Sequence, residues 1–195
     1  CSVRRQRQMC IRDRGKGNQD YSHDLMTEEA LNWITANRDQ AMFLYLAYCI
    51  PHTHWQVPEL GEYAEKDWPE ERFKVQAAMV SRMDRDIGRI KRLLEELGIE
   101  EDTLLIFNSD NGAHGQGGTR EFFDTTGGLK GKKRLMTEGG VRSPMLAYWP
   151  GKVPAGTHSE HISAFWDFLP TMAELAGEPI NGRTDGLSML PTLIG

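Results

Sequence analysis

The sequence predicts an α/β fold, because short apolar runs typical of buried strands alternate with longer segments of helical period. Continuous apolar runs occur at 42–48, 103–107 and 145–149, and parallel strands that are buried on both faces have this character. The segments 70–97 and 164–176 instead repeat apolar residues every three or four positions, as one face of a helix does. This alternation favours a mostly parallel sheet covered by helices on both faces.

The first predicted elements are a helix and a strand. The helix opens in the segment 27–34, where Thr27 or Asp24 would supply a side-chain cap. The strand at 42–48 is predicted to be buried. Pro51 would end it, because proline has no backbone N–H to continue a hydrogen-bonded ladder.

The longest predicted helix covers 70–97. Its regularly spaced apolar residues are Phe73, Ala77, Val80, Met83, Ile87, Ile90, Leu94 and Leu97. These residues would form one face that packs on the core. Gly98 would end the helix, since glycine readily adopts the left-handed conformation that closes a helix.

Two strands and a second amphipathic helix follow. Strands are predicted at 103–107 and 145–149, and the helix at 164–176 would end at Gly177. The loop 112–129 between the two strands is long for a compact domain and rich in glycine. Long loops of this kind often carry function, so we expect functional residues here.

Composition and charge exclude several classes of protein. The chain has 195 residues, of which 39% are hydrophobic, as in a globular domain or part of one. The segment 1–14 resembles translated sequencing adapter, so we expect a non-native or disordered arm there and assign 15–195 to the fold. Without the five arginines and one aspartate of this arm, 18 basic and 27 acidic residues remain, a net charge of −9. This acidic balance argues against nucleic acid as a partner.

The sequence offers little sign of a membrane span or of disulfides. The apolar stretch at 42–50 is too short to cross a bilayer. Cys49 is the one cysteine outside the arm, so no disulfide framework follows.

The tripeptide Asp110-Asn111-Gly112 comes shortly after the strand predicted at 103–107. A carboxylate and an amide at the carboxyl end of a buried strand can offer two oxygens to a hard cation. The same residue types also form ordinary turns, so the tripeptide alone leaves a plain strand-ending turn open.

Further motifs occur around this tripeptide in a characteristic order. They are Pro51-His52-Thr53, Leu129-Lys130-Gly131-Lys132-Lys133, Glu138-Gly139-Gly140-Val141-Arg142, Tyr148-Trp149-Pro150-Gly151 and Asp185-Gly186-Leu187-Ser188. Over 21–195 the chain resembles the C-terminal part of the catalytic domain of the type I, formylglycine-dependent sulfatases, the arylsulfatase family. The resemblance implies an alkaline-phosphatase-like α/β/α sandwich with a mostly parallel sheet, of which this chain would be an incomplete fragment.

The resemblance implies one calcium ion held by oxygen ligands, with Asp110 and Asn111 in metal-ligand positions. Two-zinc members of the wider superfamily have histidine at the second position, and imidazole suits zinc whereas an amide oxygen suits calcium. The nucleophile of the family is a formylglycine made from the first residue of Cys/Ser-x-Pro-x-Arg. Because this motif does not occur here, the nucleophile and the remaining metal ligands are expected upstream.

The resemblance also implies two residues that contact the sulfate. Lys133, five residues before Glu138, aligns with the sulfate-binding lysine of the family and would supply positive charge. His52 aligns with the histidine that contacts the sulfate and protonates the departing alcohol.

Three neighbouring residues depart from the family pattern or receive no role from it. His54 stands where the family usually has proline, and we expect it at the rim of the site. Lys132 replaces a common glycine, which leaves the local loop shape and the substrate preference open. His114 lies close to the metal pair in sequence, and the resemblance gives it no role.

These residues predict that the complete protein is a sulfatase acting on an aryl or carbohydrate sulfate. The resemblance places such a protein in the periplasm or outside the cell. Without the nucleophile, the chain by itself is expected to be inactive. Two alternatives stay open: a phosphonate or phosphate ester hydrolase of the same superfamily, and a catalytically dead module that binds sulfated glycans.

Overall fold

The computed structural model describes residues 21–180 and 182–195, so the arm predicted at 1–14 lies outside the described residues. In chain order the elements are α1 (Ser22–Asn37), α2 (Glu71–Glu96), β1 (Leu105–Asn108), α3 (Thr119–Phe123), α4 (Glu138–Val141), β2 (Met145–Tyr148), α5 (Phe168–Ala176) and α6 (Leu190–Ile194). Across this part of the chain, no helix combines the length and apolar character that crossing a membrane requires.

The chain divides into two compact units. The first contains the described residues up to Ile99 together with Asn111–Ser143. The second contains Glu100–Asp110 and Pro144–Gly195. Helices α1 to α4 therefore belong to the first unit, whereas both strands, α5 and α6 belong to the second.

The core of the first unit lies between α1 and α2. Ile34 of α1 clusters with Ile90 and Leu94 of α2. Partly buried residues that pack around them are Leu31, Trp33, Met42, Leu46, Leu93, Leu97 and Ile99. The helix predicted at 70–97 is confirmed to within one residue at each end, and Gly98 follows it with a φ of 68°.

Helix α1 begins earlier than the sequence predicted, and both predicted caps are wrong. Tyr21 precedes the first turn, and no side chain caps the helix. Thr27 is fully buried inside the helix, where its Oγ1 donates to the carbonyl oxygen of His23 at 3.0 Å. Asp24 accepts two hydrogen bonds, of 2.7 and 2.6 Å, from Arg82 of α2. The side chain of Asp24 thus serves a contact between helices, whereas that of Thr27 bonds within α1 and also lies 2.8 Å from the hydroxyl of Tyr48.

The strand predicted at 42–48 is absent from the structure, so this prediction is wrong. Met42 and Leu46 pack against the core of the first unit, but Phe43 and Tyr45 are 71% and 70% exposed. A strand needs a neighbouring backbone to complete its hydrogen bonds, and within the described residues no strand pairs with this segment. The apolar run at 42–48 thus identified a segment that is anchored to the core, but it did not show whether another strand pairs with that segment.

A buried histidine–carboxylate pair joins α1 to α2. His23 is 2% exposed, and its Nε2 lies 3.1 Å from Oδ2 of the fully buried Asp86. Nδ1 of His23 has no hydrogen-bond partner among the described residues. A second proton would therefore bury an unpaired N–H, which favours the neutral ring with its proton on Nε2. Consistently, burial lowers the pKa of His23 against the opposing charges of Asp86 and Asp24.

Arginines keep the carboxylate of this pair charged. Burial by itself would raise the pKa of Asp86, but hydrogen bonds from Arg85 and Arg89 hold that pKa below its ordinary value. The Arg85 bonds measure 3.1 and 3.2 Å, and the Arg89 bond measures 3.4 Å. Arg89 also donates to Glu28 of α1 at 2.5 Å. The arginines and carboxylates of the α1–α2 contact thus compensate each other's charge.

The second unit contains an antiparallel pair of strands. β1 and β2 confirm the strands predicted at 103–107 and 145–149, and Leu105 lies opposite Tyr148 in their register. A mostly parallel sheet had been expected from apolar runs buried on both faces, yet Leu146 is 65% exposed. Antiparallel sheets tolerate such exposure on one face. Since the described residues form this pair alone, the parallel sheet and the sandwich remain predictions.

Asp167 organises the start of α5 in the second unit. Its carboxylate accepts hydrogen bonds from the backbone N–H groups of Ala164 (2.7 Å) and Leu187 (2.8 Å). Its carbonyl oxygen accepts a further bond of 2.6 Å from Oγ1 of Thr171. The helix predicted at 164–176 is therefore confirmed as a short 3-10 turn that continues into α5.

Candidate active site

The sequence-predicted site residues lie on connecting segments rather than inside helices or strands. His52 is exposed, and Lys133 is half-buried. Asp110 is exposed and Asn111 half-buried, shortly after β1. The division between the two units falls between Asp110 and Asn111. His52, Asn111 and Lys133 thus belong to the first unit, and Asp110 belongs to the second.

Backbone hydrogen bonds connect the segment after Asn111 to the loop that carries Lys133. The N–H of Lys133 donates to the carbonyl oxygen of Ala113 at 2.8 Å. The N–H of Gly112 donates to the carbonyl oxygen of Gly140 at 3.0 Å. Two predicted functional positions that are distant in sequence are therefore on adjoining backbone segments.

Glycines make this close backbone approach possible. A Cβ on Gly112 would lie 2.2 Å from the carbonyl oxygen of Gly139, and one on Gly140 would lie 2.0 Å from that of Leu135. Side chains at these positions would collide with backbone atoms, which cannot move aside as a flexible side chain can. The Glu138-Gly139-Gly140 motif therefore has a packing reason in this structure.

Three consecutive basic residues, Lys132, Lys133 and Arg134, follow Gly131. None of the three forms a salt bridge within the described residues. Arg134 has a φ of 78°, a conformation that is uncommon for residues with side chains and concentrates at functional sites. The Lys132 side chain crosses Gly115, where an added Cβ would lie 2.4 Å from its Cδ. Within the described residues, the loop therefore carries positive charge outside salt-bridge distance of any carboxylate, although Glu121 interacts electrostatically with Lys132.

His114, to which the sequence gave no role, has predicted site residues among its electrostatic neighbours. It is half-buried, and its Nδ1 accepts a hydrogen bond of 2.9 Å from the backbone N–H of Gln116. Burial lowers the pKa of His114, and the positive charges of Lys133 and Arg134 lower it further, with smaller contributions from His52 and Lys132. His52 and Lys133 therefore both act electrostatically on His114. Its place three residues after Asn111 was the one sequence signal.

The two histidines of the predicted Pro-His-Thr-His segment differ in backbone conformation. Nδ1 of His52 lies 3.2 Å from the carbonyl oxygen of Thr53, which can only accept a hydrogen bond. The Oγ1 of Thr53 lies farther from Nδ1, at 3.4 Å, so the shorter contact favours the tautomer with the proton on Nδ1, and Nε2 remains for another contact. His54 has a φ of 72°, so the chain turns sharply two residues after His52.

The donor chemistry of Asp110 and Asn111 fits a hard cation such as calcium, because both residues offer oxygen ligands. Calcium takes about six to eight oxygens, so this pair would supply part of a site. Among the described residues, no group of three or more histidine, cysteine, aspartate or glutamate side chains is arranged to hold a metal.

A cavity of about 520 Å³ lies beside α3 and is lined by residues between Arg120 and Gly131. Arg120 stabilises one wall, since its Nη1 donates to the carbonyl oxygen of Gly131 at 2.9 Å. None of the four sequence-predicted site residues lines this cavity.

The chain is similar to known sulfatases over most of its length. A family model described as Sulfatase matches residues 4–178. Human arylsulfatase A is 34% identical over 176 residues, which are 90% of this chain and 32% of that protein. Human N-acetylgalactosamine-6-sulfatase is 37% identical over 177 residues, which are 86% of this chain and 31% of that protein. The chain thus spans about a third of the length of these relatives.

A solved structure gives the same similarity in three dimensions. The crystal structure of Ps i-CgsB matches with a TM-score of 0.80 at 34% identity, covering 93% of this chain and 40% of that one. The same protein has been solved in complex with k-i-k-neocarrahexaose, and that structure matches with a TM-score of 0.79.

Proposed function

The chain belongs to the sulfatase family, and we propose that the complete protein hydrolyses sulfate esters. One observation carries the proposal: Lys133, which aligns with the sulfate-binding lysine of the family, is hydrogen-bonded through its backbone to Ala113, two residues after Asn111. In the reaction the S–O bond of the ester breaks, and water supplies the sulfate oxygen and the proton of the released alcohol.

Lys133 would neutralise the sulfate. Lys133 is half-buried and forms no salt bridge within the described residues, so its charge is available to an anion. Negative charge grows on the leaving oxygen as the S–O bond breaks, and a preorganised cation stabilises that charge more than it stabilises the ground state.

His52 would deliver the proton to the leaving alcohol. The hydrogen bond from its Nδ1 to Thr53 orients the ring and leaves Nε2 for the substrate. To donate from Nε2 the imidazole must first be protonated there, and the N–H at Nδ1 can then keep its bond to Thr53. The proton lost to the alcohol would be regained from the water that the overall hydrolysis consumes.

Asp110 and Asn111 would provide two oxygen ligands to one calcium ion, together with ligands from the upstream part of the protein. When bound, the ion polarises the sulfate. A formylglycine upstream would supply the nucleophile. We propose a carbohydrate or aryl sulfate as substrate and a periplasmic or extracellular location, as the family resemblance implies.

The test is an assay of the complete protein on sulfate, phosphonate and phosphate esters, with and without a calcium chelator. We expect turnover of the sulfate ester, and we expect the chelator to abolish it. Preferential turnover of a phosphonate or phosphate ester would replace the proposal by the related hydrolase. Binding of a sulfated glycan without turnover of any ester would identify a binding module instead.

A further inference from the structure

The imidazole of His114 has one nitrogen engaged and one available. Because Nδ1 accepts the hydrogen bond from the Gln116 N–H, it cannot carry the proton in this arrangement. The proton of the neutral ring is therefore on Nε2. Nε2 makes no hydrogen bond to any residue that the structure describes, so an N–H donor is left for a ligand.

His52 has its proton on the other nitrogen, so the two rings present different groups at Nε2. The Nδ1 of His52 donates to a carbonyl oxygen, so its neutral ring has a bare Nε2 that accepts hydrogen bonds. The neutral ring of His114 instead presents a donor at Nε2. An anion, which accepts hydrogen bonds, is matched by His114 without any change of protonation.

The surroundings of His114 favour an anion as its ligand. Lys133 and Arg134 act on His114 as positive charges, and neither forms a salt bridge within the described part of the chain. Lys132 adds a third cation, because its side chain crosses Gly115 immediately after His114. Glu121 interacts electrostatically with Lys132, and a bound anion would supply negative charge to Lys133 and Arg134.

We propose that His114 is a substrate-binding residue whose Nε2–H donates a hydrogen bond to an oxygen of the sulfate group bound by Lys133. This inference rests on the proposed function for its substrate class. The backbone N–H of Gln116 fixes the tautomer, so the donor is oriented before the ester arrives. Such preorganisation reduces the ordering cost of binding.

Two substitutions separate this role from a purely local one. In His114→Asn, Oδ1 takes the place of Nδ1 and can accept the Gln116 N–H in an Asx turn, but the side chain is too short to reach the position of Nε2. In His114→Gln, the amide N–H₂ reaches that position while the acceptor next to Gln116 is lost. The Asn variant keeps the loop bond, and the Gln variant keeps the donor.

The experiment measures sulfate ester turnover and the affinity for inorganic sulfate, by calorimetry, in the complete protein and both variants. Loss of a hydrogen bond to a charged acceptor predicts that His114→Asn raises KM and the sulfate Kd about tenfold or more. We expect His114→Gln to stay within about threefold of the natural protein, since amide and imidazole N–H donors are comparable. Thermal unfolding of each variant reports whether the loop itself has changed.

Each outcome decides the inference. If His114→Gln is the weaker binder and His114→Asn binds sulfate normally, the imidazole serves the loop alone and the inference is overturned. Normal binding by both variants overturns it equally. If the natural protein turns over no sulfate ester, the proposed function fails, but the Asn and Gln affinities for inorganic sulfate still decide whether His114 contacts an anion.

Discussion

His23 and His114 both have a pKa lowered mainly by burial, yet their neighbours have opposite charge. At His23 the carboxylates of Asp86 and Asp24 raise the pKa and partly offset the burial. At His114 the charges of Lys133 and Arg134 lower it further. His23 lies in a contact whose positive and negative side chains compensate one another, whereas His114 lies in a segment with excess positive charge.

This difference in neighbouring charge separates the two histidines: the lowered pKa of His23 goes with a stabilising contact, and that of His114 goes with the proposed anion-binding segment. The His23–Asp86 pair lies between α1 and α2 and is closed to solvent, so an added anion would find no access and no free cation there. The His114 segment is half-buried, and its cations lack salt bridges within the described residues. Burial of a titratable group is therefore informative about function only together with the charge around it.

Of the substitutions that test this comparison of the His23 and His114 regions, the largest effect is expected at Lys133. Replacing it by alanine in the complete protein should lower kcat/KM on a sulfate ester by about a hundredfold or more, the scale of losing one preorganised electrostatic donor. Arginine should restore little, because a planar fork does not replace a point charge. Lys74→Ala on α2 is the matched control, and normal activity of Lys133→Ala would remove this lysine from the site.

Asp86 should show the opposite behaviour, with a loss of stability and no loss of activity per folded molecule. Asp86→Asn removes the charge to which Arg85 and Arg89 donate, and we expect a decrease of about 2 kcal/mol in the free energy of unfolding. Urea denaturation measures it. The exposed Asp84→Asn on the same helix is the control, with an expected change below about 0.5 kcal/mol. Equal effects of the two variants would contradict a stabilising role for the buried pair.

A smaller effect is expected in the pH dependence of stability. The folded-state pKa of His23 lies below its ordinary value of 6.5, so the unfolded chain binds more protons as the pH falls. The stability contributed by His23 is therefore complete above about pH 6.5 and is lost as the pH falls through the folded-state pKa. The free energy of unfolding should therefore fall less steeply between about pH 7 and 5 in His23→Gln than in His114→Gln. A larger flattening by His114→Gln would reverse the comparison.

The sequence predicted the helices best where one face repeats over several turns. The helix at 70–97 was predicted to within one residue, because its apolar face is a local periodic signal. Phe73, Ile90 and Leu94 of that face are buried, whereas Val80 is 42% exposed. The caps of α1 could not be predicted, since Asp24 binds Arg82, which lies 58 residues away in sequence. Likewise, an apolar run does not show whether another backbone lies beside it, and so 42–48 was mistaken for a strand.

In the candidate site, too, some features could be predicted from the sequence and others could not. The importance of Asp110, Asn111, His52 and Lys133 was predicted by family resemblance and remains to be tested by substitution. The tautomer of His114 depends on one hydrogen bond two residues along the chain, and residue types alone do not specify which acceptor an N–H chooses. No periodic pattern reports such a contact, whereas the loop geometry does.

The glycine contacts at Gly112 and Gly140 have a consequence for altering substrate choice by directed evolution. Because any side chain there would meet backbone carbonyls at 2.2 and 2.0 Å, libraries that randomise these two positions would consist mainly of misfolded loops. Diversity is better concentrated at Lys132, which is exposed and whose side chain lies over Gly115. A new ester preference would then be selected on a scaffold left intact.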